Sequence, residues 1–180
     1  MNVVRVVAGR ACLALVLANL AGCAAAPRQR PREGGPVDTG AGTLTAARNY
    51  LEGRWSLESF QVFPADKPPV TVKAVGTVNY DAYSNLTMDV RADAGSVEAL
   101  KAAGIEVVGN GFSTKGRAVV DMRLKTLTYV LSKDGSIAKQ TGPLDLNLPR
   151  YWEVEADKLT LTTKDANGKP LLVSVWQRVK

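Results

Sequence analysis

From residue 54 onward, apolar and polar residues alternate at a period of two. RWSLESFQVF (54–63) puts Trp55, Leu57, Ser59, Gln61 and Phe63 on one face, and VTVKAVGTVNY (70–80) does the same for Val70, Val72, Ala74, Gly76, Val78 and Tyr80. NLTMDVR (85–91) alternates Leu86, Met88 and Val90 with polar residues. This is the pattern of strands with one buried face. It returns in IEVV (105–108), GRAVVDMR (116–123), TLTYVLS (126–132), RYWEVEA (150–156), KLTLTTK (158–164) and PLLVSVWQR (170–178). The stretch from Gly109 to Lys115 reads as loop. Turn chemistry at Lys133-Asp134-Gly135, Ala156-Asp157-Lys158 and Asp165-Ala166-Asn167-Gly168 separates the later strands. Helical spacing occurs twice: in LTAARNYL (44–51) after Thr43 as N-cap, and in SVEALKAA (96–103), opened by Ser96 as N-cap and closed by Gly104. Roughly nine short strands joined mostly by tight turns predict an all-β fold. An antiparallel up-and-down barrel with short helices is expected, because consecutive hairpins need no crossover and closure leaves no exposed edge.

The N-terminal pattern is of another kind. Residues 1 to 10 carry Arg5 and Arg10 and no acid, and lead into the apolar run ACLALVLANLA from Ala11 to Ala21. A cationic start followed by an apolar run this short is signal-peptide chemistry, since a membrane span needs about 20 apolar residues. The run ends in Leu20-Ala21-Gly22-Cys23, which resembles the lipobox of bacterial lipoproteins. That resemblance implies cleavage before Cys23, loss of Cys12 with the leader, and acylation of the Cys23 thiol. With Ala24 and not Asp after the cysteine, it further implies an outer-membrane lipoprotein facing the periplasm. Two or three acyl chains, at roughly 0.8 kcal/mol per buried methylene, anchor far more firmly than one. From Ala24 to Gly42, prolines at 27, 31 and 36 and glycines at 34, 35, 40 and 42 accompany Val37 as the sole large apolar residue. Such a stretch buries too little surface to offset its ordering entropy and reads as a tether. The expected organisation is therefore a signal peptide over 1–22, a lipidated N-terminus and linker over 23–42, and a barrel domain over 43–180.

Composition narrows the chemistry. The 180 residues, 46% of them hydrophobic, suit one modest folded domain. Histidine is absent, which excludes His-based triads, His general bases and HExxH zinc sites. With Cys12 discarded and Cys23 blocked, no disulfide framework and no thiol metal site is expected. The formal charge is +6, and +4 once Arg5 and Arg10 leave with the leader; it is spread without a run, so no nucleic-acid partner is expected. Glu153 and Glu155 share a strand face, but the face opposite Trp152 and Val154 is the solvent face, so a glycosidase-like pair is not expected. Ser56, Ser59, Ser132 and Ser174 have no histidine to activate them, and none of the four opens a Ser-x-x-Lys motif. The turn at 165–168 is shorter than a calcium-binding loop and lacks its final glutamate. No catalytic residue, metal or cofactor is assigned.

Gly53-Arg54-Trp55 follows the first helix and opens the first strand, and Trp176-Gln177-Arg178 closes the last. Together with Trp55-Ser56-Leu57, the run from Gly76 to Asp81, Leu159 to Thr162 and Gly168-Lys169, this resembles the bacterial lipocalin-like (calycin) domains over about residues 44 to 180. The resemblance implies barrel closure by Gly53, Trp55 and Arg178, with the guanidinium against the indole. It also implies a central cavity. Residues of the inward faces then become candidate ligand contacts: Leu57, Ser59, Tyr80, Met88, Tyr129, Trp152 and Trp176, the last few with hydroxyl or indole groups able to orient a guest. The expected function is noncovalent binding of a small hydrophobic molecule. The alternative is a filled barrel whose loops, over 91 to 117 and 133 to 149, contact another envelope protein.

Overall fold

The structure, a computed structural model, describes residues 43–132 and 140–180. The leader, Cys12, Cys23, the tether and the turn at 133–135 lie outside the described residues. The chain enters through helix α1 (Leu44–Leu51), whose first turn is capped by the Thr43 hydroxyl accepting from the Ala46 N–H at 3.2 Å. Strands β1 (Gly53–Val62), β2 (Val70–Thr71), β3 (Ala74–Tyr80) and β4 (Asn85–Ala92) follow. Helix α2 (Ala94–Ala102) precedes β5 (Gly111–Asp121) and β6 (Thr126–Leu131). A 3-10 turn (Gly142–Leu144) precedes β7 (Arg150–Glu155), β8 (Lys158–Lys164) and β9 (Pro170–Arg178). Each strand pairs antiparallel with the next, and β9 returns to pair with β1. The result is a closed eight-stranded barrel, with β2 and β3 as two pieces of one wall strand along β1.

Closure is carried by an almost continuous ladder between the first and last strands, from Trp55 opposite Arg178 to Val62 opposite Leu172. One wall contact is much shorter. β6 and β7 share only two register pairs, Thr126 with Tyr151 and Leu127 with Arg150. The inward faces form one main core, including Trp55, Val78, Tyr80, Leu127, Tyr129, Leu159, Leu161 and Trp176. A second cluster of Val62, Val72, Leu100, Ile105 and Leu172 packs beneath α2.

Three expectations need correction. The strand over 70–80 is broken at Val72 and Lys73, because the Ser96 hydroxyl accepts from the Lys73 N–H at 2.8 Å and the Asp93 N–H donates to the Lys73 carbonyl. These bonds tie α2 to the gap in the wall. The second helix starts earlier than 96: Asp93 is its N-cap, accepting from the Ser96 N–H at 2.6 Å, and Ser96 is buried within it. The hydrogen bonds from Ser96 hold the Asp93 carboxyl below the usual carboxylate range. Finally, 105–108 is not a strand, and of the expected loop over 109–115 only Gly109 and Asn110 lie outside a strand, 111–115 being the first half of β5. The Gln140 side chain occupies the backbone of Val108, donating to its carbonyl at 2.9 Å and accepting from its N–H, so no ladder forms there. β5 instead runs the whole length of β4 from Gly111. Its middle position is Gly116 because a Cβ there would collide with the Val130 carbonyl oxygen of β6.

Candidate functional site

One end of the barrel is shut by side chains from both ends of the folded chain. Trp55 is fully buried, and its indole N–H donates to the Leu51 carbonyl at the end of α1 at 2.8 Å. The Arg178 guanidinium lies 4.1 Å from the centroid of the Trp55 ring, a cation–π contact. It also donates to the Tyr50 carbonyl at 2.7 Å and to the Glu52 carbonyl. Gly53 has a φ of +121°, and a Cβ there would stand 2.8 Å from Arg178 Nη1, so only glycine lets the chain turn from helix to strand beneath the guanidinium. Gly53, Trp55 and Arg178 thus form a single floor.

The interior above this floor is mostly packed, with two adjoining cavities of about 50 and 40 Å³. Phe60, Val90, Phe112 and Leu144 line both. The first lies under α2 and the connection after it, touching Leu100 and Val107. The second reaches Leu57, Met88, Tyr129, Arg150, Ser174 and Trp176. The cover of the first is held down by the Gln140 bridge to Val108 and by the Thr141 hydroxyl donating to the Glu106 carboxylate at 3.1 Å.

Four of the seven candidate ligand contacts therefore border a cavity: Leu57, Met88, Tyr129 and Trp176. Tyr80 sits one layer behind, its hydroxyl 2.8 Å from that of Tyr129. Trp152 is buried in the same core with its indole N–H unpaired, but it borders neither cavity. Ser59 does not belong to the group. The pairing of β1 with β9 slips by one residue between Leu57 and Ser59, and this bulge turns Ser59 out to solvent. Beyond it Phe60 and Val62 face inward, while Gln61 is exposed.

The residue missing from the sequence-based set is Arg150. It is only 4% exposed and sits in the barrel interior at the head of β7. Its guanidinium donates to the carbonyls of Leu146 and Leu148, both at 2.8 Å, and of Asp145 at 3.1 Å. It lies 4.8 Å from the Tyr129 ring centroid. The turn it grips leads directly into β7, the strand that scarcely pairs with β6. Burial pulls the Arg150 pKa down, with Tyr129, Tyr80 and Asp145 opposing, and the group stays charged at any ordinary pH. Burial also pushes both tyrosine hydroxyls up, Tyr80 the more strongly, with the neighbouring Tyr129 hydroxyl adding to the rise. The alternation of β7 had placed Arg150 on the face of Trp152 and Val154, so a signal for its burial was present.

Among the described residues no group of three or more His, Cys, Asp or Glu could hold a metal ion, and no helix is long and apolar enough to cross a membrane. Glu153 and Glu155 are exposed on the outer face of β7. No family model matches the chain, and no curated protein matches it.

Proposed function

We propose that this chain is a lipid-anchored protein of the bacterial envelope, tethered through acylated Cys23 to the outer membrane on the periplasmic side, whose barrel binds a small hydrophobic molecule. The observation that carries the binding reading is the pair of adjoining apolar cavities between a sealed floor and a cover stapled down by side chains. A packed interior with free volume concentrated under one end is what a calycin-type binding barrel needs. The anchor reading is supported by the cationic start, the short apolar run and Leu20-Ala21-Gly22-Cys23. The proposed role is binding without catalysis, a reading supported by the lack of histidine in the chain and by the exposure of the Glu153 and Glu155 carboxylates.

Native mass spectrometry of protein taken from cells tests this directly, followed by delipidation and tryptophan-fluorescence titration. Trp176 borders the second cavity, so occupancy should shift its emission. A copurifying small-molecule mass that returns on titration is expected; bare protein that no apolar probe perturbs would overturn the reading. The small size of the cavities favours a second reading, a filled barrel that works as a protein-interaction module. Crosslinking in intact cells separates the two, because a module requires a fixed protein partner and a carrier does not.

A further inference from the structure

Arg150 is a buried cation for which no ion pair is found among the described residues. Asp145, whose charge favours the guanidinium, stays outside ion-pair distance and turns its Oδ1 to Asn147, accepting from both the backbone N–H and the side-chain amide. A charge taken out of water without an opposite charge is costly unless hydrogen bonds and dipoles replace its hydration. Three carbonyls and one ring do this in part. Of the five guanidinium N–H groups, two have no acceptor among the described residues.

The other polar groups on the same cavity have the same surplus. Tyr129 and Tyr80 share one hydrogen bond between two hydroxyls, which leaves one O–H proton with no acceptor. The Ser174 hydroxyl accepts the Trp176 indole N–H at 2.9 Å, and its own proton has no acceptor either. The second cavity is thus bordered by Arg150 and Ser174, both with donors to spare among the described residues, by Tyr129, whose pair with Tyr80 holds one further proton, and otherwise by apolar side chains. One cation, several unmatched donors and an apolar extension toward Phe60, Phe112 and Leu144 complement a molecule with a single negative head and an apolar body.

We propose that the interior ligand is a monocarboxylate whose head group is held by Arg150 beside the Tyr129 and Ser174 hydroxyls, its apolar part filling the adjoining cavity under α2. This deepens the binding reading above and rests on it. A single guanidinium matches one carboxylate and would leave a second charge on the ligand unpaired. The modest free volume selects a short chain.

The test uses the full chain in lipid nanodiscs, titrated calorimetrically at neutral pH with hexanoate, its neutral analogue hexanamide and hexylammonium, with the signal of empty nanodiscs subtracted. Hexanoate should bind at least tenfold more tightly than hexanamide, and hexylammonium not at all. Arg150→Met should bring the ratio of hexanoate to hexanamide affinity close to one, and Tyr129→Phe should lower it several-fold. Should Arg150→Met fail to fold, the comparison of the three probes on the wild-type chain decides by itself. Equal binding of hexanoate and hexanamide by the wild-type chain overturns the carboxylate assignment while leaving an apolar binding barrel standing. No binding of any of the three overturns both.

Discussion

The barrel uses one device twice, an arginine lying on an aromatic ring and gripping backbone carbonyls, with opposite electrostatic outcomes. Arg178 lies over Trp55 at the rim, its side chain 26% exposed, with the Asp157 carboxylate 4.0 Å from its Nε. Arg150 lies over Tyr129 inside the barrel, holds three carbonyls where Arg178 holds two, and among the described residues has no carboxylate within ion-pair distance, Asp145 acting on it only from farther off. The floor arginine is complete: water and an acid share its charge, and its donors lock the end of α1 to β9. The interior arginine locks the turn before β7 just as firmly but keeps an unshared charge against a cavity. Hydrogen bonding alone does not distinguish the two; the surroundings of the charge do. We therefore assign structure to one and recognition to the other.

The comparison breaks most visibly at the floor. Trp55→Ala removes the fully buried ring that Arg178 covers and should destabilise the barrel by about 3–5 kcal/mol, read from the urea midpoint at constant slope. A loss below about 1 kcal/mol would show that the floor does not hold the closure.

Matched substitutions at the two arginines come next. Arg178→Met forfeits two carbonyl hydrogen bonds and the indole contact and should cost about 2 kcal/mol. Arg150→Met forfeits more hydrogen bonds but also takes an uncompensated charge out of the interior, so its cost should be the smaller, about 1 kcal/mol. The order matters more than the values. If Arg150→Met proves the costlier by urea denaturation, the interior cation is a structural clamp and the contrast fails.

What the sequence pattern revealed follows the same division. The floor was legible, because Gly53, Trp55 and Arg178 sit at the two ends of the β-region and any closed sheet must bring those ends together. β8 and β9 begin and end at the expected residues, since Leu159, Leu161 and Thr163 and then Leu172, Ser174 and Trp176 alternate without a break. β5 was misread in its first half because its inward positions include Thr114 and Gly116, a polar residue and one with no side chain, so no apolar rhythm shows before Ala118. The early start of α2 was hidden by competition between two good caps, Asp93 and Ser96, and the burial of Ser96 decided it. Arg150 was on the inward face by parity, yet an arginine at a strand head reads as surface charge. What buries it is the carbonyls of Asp145, Leu146 and Leu148, which no periodicity displays.

The tyrosine pair sharpens the contrast through pH. Both hydroxyls hold their protons above the ordinary tyrosine value of about 10. The folded barrel therefore binds protons that the unfolded chain releases at high pH, so their contribution is fully present below about pH 10 and is lost as the pH rises beyond it. Thermal unfolding should show the melting temperature falling steeply above that point, and more gently in the Tyr80→Phe, Tyr129→Phe double variant. At neutral pH each single change strands one buried hydroxyl and should cost about 1 kcal/mol, while the double removes both partners and should cost no more than either single. An additive double would show that the two hydroxyls do not depend on each other.

The smallest expected effect tests the inner wall of the site. A strict period of two carries Ser59 inward with Trp55 and Leu57, whereas the slip against β9 turns it outward and brings Phe60 to the cavity. Ser59→Lys separates these directions cleanly. On the outer face the lysine projects into water and the change should stay within about 0.5 kcal/mol by urea denaturation. Facing inward, it would place a second cation close to Arg150 and cost several times more. A near-neutral result, with any hexanoate affinity unaltered, fixes Phe60 and not Ser59 as the β1 contact beside Leu57; a large loss would put the bulge elsewhere and redraw the cavity wall around it.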